Sequence, residues 1–199
     1  MSGLADRLNT LGALLDELRK GRSGAAAEAA IDLIVGAAVE RRPLLVCGNG
    51  GSASDALHIA GELVGRFLIE RPALDVICLN ANVSVLTAWS NDYDYASVFA
   101  RQVEAHGRPG GVLWGISTSG NSANVVAAFE RARALGLRTI ALTGEGGGRL
   151  ASLADVLIDV PSRETPRVQE MHLPIYHFIC EEVERRMPAS TPRSSGTNA

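Results

Sequence analysis

Pro43-Leu44-Leu45-Val46-Cys47-Gly48-Asn49-Gly50-Gly51-Ser52-Ala53-Ser54-Asp55-Ala56-Leu57-His58-Ile59-Ala60-Gly61-Glu62-Leu63 decides how the rest of the chain is read. The apolar run Leu44–Cys47 behind a proline suits a short parallel strand covered on both faces. Gly48, Gly50 and Gly51 form a loop whose backbone N–H groups can approach a ligand closely. Either Ser52 or Ser54 is placed to cap the helix that follows, whose N-terminus favours anions. On that helix His58 and Glu62 stand four residues apart and share a face, with Asp55 near the same stripe. A polar trio directly behind a glycine loop reads as a site rather than as core.

Working outward, strands and helices alternate. Strands are expected at 43–47, 74–79, 111–116, 138–143 and 155–160. Helices are expected at 54–68, 82–90, 94–105, 122–135, 147–153 and 167–187. Five short apolar strands joined by helices predict right-handed crossovers and an α/β three-layer sandwich around a five-stranded parallel sheet. Ligands bind such folds beyond the carboxyl ends of the strands, where the loops after the first and third strands fall. Upstream, Leu4, Leu8, Leu11, Leu15 and Leu18 form a leucine seam on a helix over about residues 2–21, followed by an alanine-rich helix to about Glu40. The seam packs either on its own domain or on another subunit. The expected organisation is N-terminal helices over 1–41, one domain over 42–187 and a disordered Ser/Thr/Pro-rich tail over 188–199.

Bulk properties narrow the function. A chain of 199 residues with 46% hydrophobic and 21% charged residues suits one compact domain. The net charge of -3 gives no basis for binding nucleic acid, and no apolar stretch is long enough to span a membrane, so neither is expected as a partner. Cys47, Cys78 and Cys180 are odd in number and widely spaced, which fits buried thiols in a reducing cytoplasm.

The second loop, Ser117-Thr118-Ser119-Gly120-Asn121-Ser122-Ala123-Asn124, places four hydroxyls around a glycine at the start of a helix. Neutral donors joined to a helix N-terminus suit a phosphate monoester, although Ser and Asn also serve simply as caps. No lysine-bearing P-loop is present, which argues against a nucleoside triphosphate. Gly48-x-Gly50-x-x-Ala53 fits the dinucleotide fingerprint loosely, but Leu79-Asn80-Ala81-Asn82 offers no acid to hold a ribose. A third cluster, Arg167-Val168-Gln169-Glu170-Met171-His172 with His177 beyond, contains Pro174, which is expected to disturb its helix.

Taken together, Cys47–Ser52, Asn91-Asp92-Tyr93, Ser117–Ser122, Leu142-Thr143-Gly144 and Val168-Gln169-Glu170 resemble the sugar isomerase (SIS) domain family over about residues 28–187. Within it, the chain looks most like enzymes that isomerise a phosphorylated seven-carbon sugar. The resemblance implies conversion of D-sedoheptulose 7-phosphate to D-glycero-D-manno-heptose 7-phosphate, for nucleotide-activated heptose synthesis. It implies phosphate contacts from Ser117, Thr118, Ser119 and Ser122, and sugar contacts from Asn49, Gly50, Gly51, Ser52, Asp92 and Gln169. It further implies Glu62 as base, His177 as its acid/base partner, and one zinc per subunit on His58, Glu62, Gln169 and His177. A homotetramer with sites between subunits is implied as well. The competing family role, a regulator that binds the replication initiator, carries an arginine in the serine loop and lacks the helical histidine; Ser119 and His177 stand here. Isomerisation of another sugar phosphate is the nearer alternative, and Trp89, where a small residue is frequent, bears on that choice. Gln169 and His177 lie eight residues apart, roughly 12 Å along a helix, so one metal reaches both only through a break at Pro174 or donation from two subunits. Two subunits is the preferred reading.

Overall fold

The computed structural model describes residues 3–187; the tail expected to be disordered, 188–199, lies outside them. Five parallel strands, β1 (Leu44–Gly48), β2 (Val76–Cys78), β3 (Val112–Ser117), β4 (Arg138–Thr143) and β5 (Val156–Asp159), form one sheet in the order β2-β1-β3-β4-β5. Their apolar runs are continuous because both faces are covered: Leu44 and Val46 enter one core layer, Leu45 and Cys47 the other. The register sets Leu44 beside Val112 and Ile140 beside Val156, so the strands end level along one edge.

Helices α2 (Ser23–Val39), α3 (Gly51–Val64) and α7 (Thr165–Arg186) cover one face. The other carries α4 (Val83–Asp92), α5 (Val98–His106) and α6 (Ala123–Ala134), with a 3-10 turn at Gly148–Ser152 in place of the helix expected there. This is the expected α/β three-layer sandwich. β2 is shorter than expected because it is an edge strand that pairs only with β1.

Helix α1 (Leu4–Lys20) divides its leucine seam. Leu11, Leu14 and Leu18 pack against Val160, Val168 and Met171, while Leu4, Leu8 and Leu15 are exposed. Two local expectations are corrected. α3 begins at Gly51, with Gly50 at the N-cap, and neither Ser52 nor Ser54 caps it through its side chain. Ser52 is instead buried inside the first turn. α7 runs unbroken through Pro174, an exposed position on the outer face, where water can take up the carbonyl that the ring leaves unbonded.

Candidate active site

The crossovers from β1 and β3 leave in opposite directions, so the loops behind these adjacent strands meet at the topological switch point. Asn49 and Asn124 join them with a reciprocal amide pair at 2.8 and 2.9 Å, and the Tyr95 hydroxyl donates to Asn49 Oδ1 at 3.1 Å. Asn80 clamps Gly48 from the β2 side, its Nδ2 donating to the Gly48 carbonyl at 2.9 Å and its Oδ1 accepting the Gly48 N–H at 3.2 Å. Gly51 sits against Gln169 of α7; a Cβ there would lie 2.4 Å from Gln169 Nε2, so any larger residue would displace the Gln169 amide.

The serine loop is held as a cradle from behind. Gly120 has φ of 64°, and a Cβ on it would fall 2.0 Å from the Gly147 carbonyl oxygen, so the tight turn requires glycine. The Thr118 and Gly120 carbonyls accept from the N–H groups of Gly144 and Leu150. Ser117 Oγ and Ser122 Oγ lie 2.9 Å apart, and Ser122, the N-cap of α6, makes no capping bond with its hydroxyl. Ser119 is exposed at the mouth, its Oγ accepting the Asn121 N–H at 3.1 Å. Four hydroxyl residues thus lie on one short loop that leads into the N-terminus of α6, with no carboxylate in the loop, neutral donors of a kind suited to a dianion. Asp92 closes α4 at the rim of a separate groove beside Trp89 and Arg101. Trp89 stacks on Tyr93 at 4.2 Å, donates to Ser97 Oγ at 2.7 Å and takes the Arg101 guanidinium over its ring at 5.0 Å. It is pinned in that position.

A second centre lies farther along α3. α7 runs beside α3 in the same direction: Gln169 meets Gly51, His177 meets His58 and Glu184 meets the chain just after α3. Ligand atoms of His58, Glu62 and His177 all fall within 4.8 Å of one another. His58 Nε2 is 2.9 Å from Glu62 Oε1, and the His58 and His177 rings meet edge to face at 5.0 Å. His177 Nε2 is buried without a hydrogen-bond partner, an orphaned polar atom on one of the three residues of the cluster. Two imidazoles and a carboxylate are ordinary nitrogen and oxygen ligation for zinc, so the residues fit such an ion.

Tyr176, beside His177, is buried, and its hydroxyl lies 3.0 Å from His58 Nδ1. Asp55 Oδ2 is buried without a hydrogen-bond partner, and burial raises the Asp55 carboxyl above the ordinary value, partly offset by His58 and Tyr176. Burial, with the Asp55 charge second, pushes the Tyr176 phenol up. His172 instead belongs to the core: burial pushes it down to about 4, against a bond from its ring to the Thr143 carbonyl. Sequence reasoning misses Tyr176, Asn80 and Tyr95. Their partners are distant along the chain, and only Tyr176 carries a hint, as the neighbour of His177.

The structure therefore brings His58, Glu62 and His177 together, and separately brings Asn49 to the serine cradle. It does not bring Gln169 to His177, nor Glu62 to the cradle, within one chain. Gly51 and Glu62 are eleven residues apart on α3, roughly 16 Å along the axis.

The fold, with a serine loop at the switch point and a histidine–carboxylate cluster farther along α3, is that of a domain that handles phosphorylated sugars, and comparison agrees. The SIS domain model matches residues 8–144, and the chain belongs to that family. The phosphoheptose isomerase of Crocosphaera subtropica is 57% identical over 144 residues, 72% of this chain and 74% of that one. That of Synechocystis sp. is 50% identical over 181 residues, 91% of each chain. The solved phosphoheptose isomerase of Neisseria gonorrhoeae superposes with a TM-score of 0.86 at 38% identity, covering 92% of this chain and 97% of the other. Within the family the chain thus falls among the phosphoheptose isomerases, which are aldose–ketose isomerases.

Proposed function

We propose that this chain interconverts D-sedoheptulose 7-phosphate and D-glycero-D-manno-heptose 7-phosphate by proton transfer through an enediolate, in the service of activated-heptose synthesis. The observation that carries the reading is the convergence of His58, Glu62 and His177, whose ligand atoms lie within 4.8 Å of one another. Aldose–ketose exchange needs a base that moves a proton between adjacent carbons and an acid that serves the neighbouring oxygens. Glu62 has one oxygen on His58, leaving Oε2 for the carbon-bound proton. His177 is placed to give and take the oxygen-bound proton. Ser117, Thr118, Ser119 and Ser122 hold the phosphate, and Asn49, Gly50, Gly51, Ser52 and Asp92 orient the sugar.

His58, Glu62 and His177, with Gln169, would hold one zinc per subunit. When bound, zinc supplies a Lewis acid for the oxygens of the reacting carbons. Because Gln169 sits at Gly51 in its own chain, we assign the fourth ligand to a neighbouring copy. The same logic pairs the cradle of one chain with the Glu62 of another, which requires sites between subunits. The exposed Leu4, Leu8 and Leu15 on α1, with Leu173 and Phe178 on α7, supply apolar surface for such an assembly, read here as a homotetramer. Among the described residues no helix is long and apolar enough to cross a membrane, and all three cysteines are free and buried. Both fit residence in the cytoplasm.

The test is a coupled assay of sedoheptulose 7-phosphate against arabinose 5-phosphate and fructose 6-phosphate, followed by turnover in heavy water. Wild-type protein should prefer the seven-carbon sugar and place deuterium on C2 of the product. Glu62→Gln should lower turnover and exchange together by ~10²–10⁴-fold. Normal exchange by the variant would remove Glu62 as the base, and activity on none of the sugars would remove the assignment.

A further inference from the structure

We propose that Asn124 is a positioning residue that turns the Asn49 amide so that it offers the substrate an N–H donor and no acceptor. The proposal rests on the preceding reading that Asn49 orients the sugar, and deepens it. Asn124 stands in the first turn of α6, directly after the serine loop, and is 3% exposed. Its partner Asn49 lies on the glycine loop after β1, 75 positions earlier. Each amide donates to the other: Asn49 Nδ2 to Asn124 Oδ1 at 2.8 Å, and Asn124 Nδ2 to Asn49 Oδ1 at 2.9 Å.

Such a reciprocal pair is equally satisfied if both amides turn over together, so the pair alone chooses no direction. The backbone of α6 chooses it. The Val125 N–H, with its nitrogen 3.0 Å from Asn124 Oδ1, can only donate, so the Asn124 oxygen must stay on that side. Asn49 then has to meet that oxygen with its nitrogen. Its own oxygen receives two donors, Asn124 Nδ2 and the Tyr95 hydroxyl at 3.1 Å, which fill both lone pairs. One N–H of Asn49 is spent inside the pair, and the second is left for a ligand. Its complement is an accepting oxygen of the phosphorylated sugar. Without Asn124 the turn is no longer fixed, because the Tyr95 hydroxyl can donate to an amide oxygen or accept from an amide nitrogen.

The test is a double-mutant cycle on the full chain, read as kcat/KM for sedoheptulose 7-phosphate. Asn49→Ala removes the donor and should lower kcat/KM about 10-fold, the worth of one hydrogen bond. Asn124→Leu keeps the bulk of the side chain without its polar atoms and leaves Asn49 present but free to turn. It should lower kcat/KM by about 2–10-fold, as the fraction of Asn49 in the competent orientation falls. In the Asn49→Ala background the same Asn124→Leu change should cost nothing further, since no amide remains to be turned. A merely structural role would lower both backgrounds alike. Equal losses in the two backgrounds, or wild-type kcat/KM in Asn124→Leu, would overturn the inference while leaving Asn49 on the substrate. Wild-type kcat/KM in Asn49→Ala would take Asn49 off the substrate and the inference with it; wild-type protein inactive on the sugar would overturn both readings. Should Asn124→Leu fail to fold, Asn124→Ser, too short to reach Asn49, carries the same cycle with the same outcomes.

Discussion

Glu184→Gln probes the joint that holds the far end of α3, and with it Glu62. The Glu184 and Arg71 side chains are each 1% exposed and lie 3.3 Å apart. Glu184 accepts the backbone N–H groups of Phe67, Leu68 and Ile69 at 3.0, 2.5 and 2.7 Å. Arg71 in turn donates to the carbonyls of Glu62, Gly65 and Pro72 at 2.8, 3.3 and 3.1 Å. Burial alone would raise the Glu184 carboxyl, but the three N–H groups and Arg71 outweigh it and hold it below the ordinary value. An amide cancels the charge, turns one acceptor into a donor facing N–H groups, and leaves a buried guanidinium without its counter-ion. Removing one partner of a buried pair costs about 3–5 kcal/mol; since glutamine keeps one acceptor, about 3 kcal/mol is expected. At ~2–4 °C per kcal/mol for a chain of this size, the melting temperature should fall by roughly 6–12 °C. Urea unfolding and calorimetry at one fixed protein concentration measure this, the fixed concentration holding any contribution of association constant. Because the folded carboxyl is depressed, its contribution is complete above the ordinary value of 4.5 and fades as pH falls below it, so the two proteins should converge in acid. A loss under about 1 kcal/mol, against the range given for buried pairs, or a difference that persists in acid, would refute the reasoning.

Ser119→Arg, at the exposed mouth of the cradle, should abolish binding of the phosphorylated sugar in calorimetry without shifting the melting temperature; retained affinity would place the phosphate elsewhere. His172, buried and pushed down from 6.5 to about 4, takes up its proton only in the unfolded chain between those values. Stability should therefore fall by about 1.4 kcal/mol per pH unit from this residue as pH drops through that window. His172→Gln should flatten that part of the profile, and an unchanged slope would show that another group carries it.

Much of the architecture is legible in the chain because its signals are local. Apolar runs punctuated by glycine and proline locate β1, β3 and β4 to within about a residue, since a strand covered on both faces tolerates nothing else. Helical spacing alone puts His58 and Glu62 on one face, because positions four apart on a helix are always neighbours. The serine loop follows from its position after a buried strand. Local rules fail where packing overrides them. Ser52 is drawn into the core instead of capping α3, and α7 continues past Pro174 because its outer face is open to water.

What only the tertiary structure decided is which distant residues meet. The Tyr176 contact with His58 spans 118 positions in sequence, and no periodicity or spacing in either helix announces it. The parallel docking of α7 on α3 creates that contact, and it also sends Gln169 to Gly51 and His177 to His58. That docking is driven by undirected burial of apolar side chains such as Ile59, Leu63, Ile179 and Val183. The sequence determined the faces, because backbone geometry repeats every few residues; the fold determined the pairings, because hydrophobic burial acts between faces and leaves each polar contact to follow from the shape of the packing.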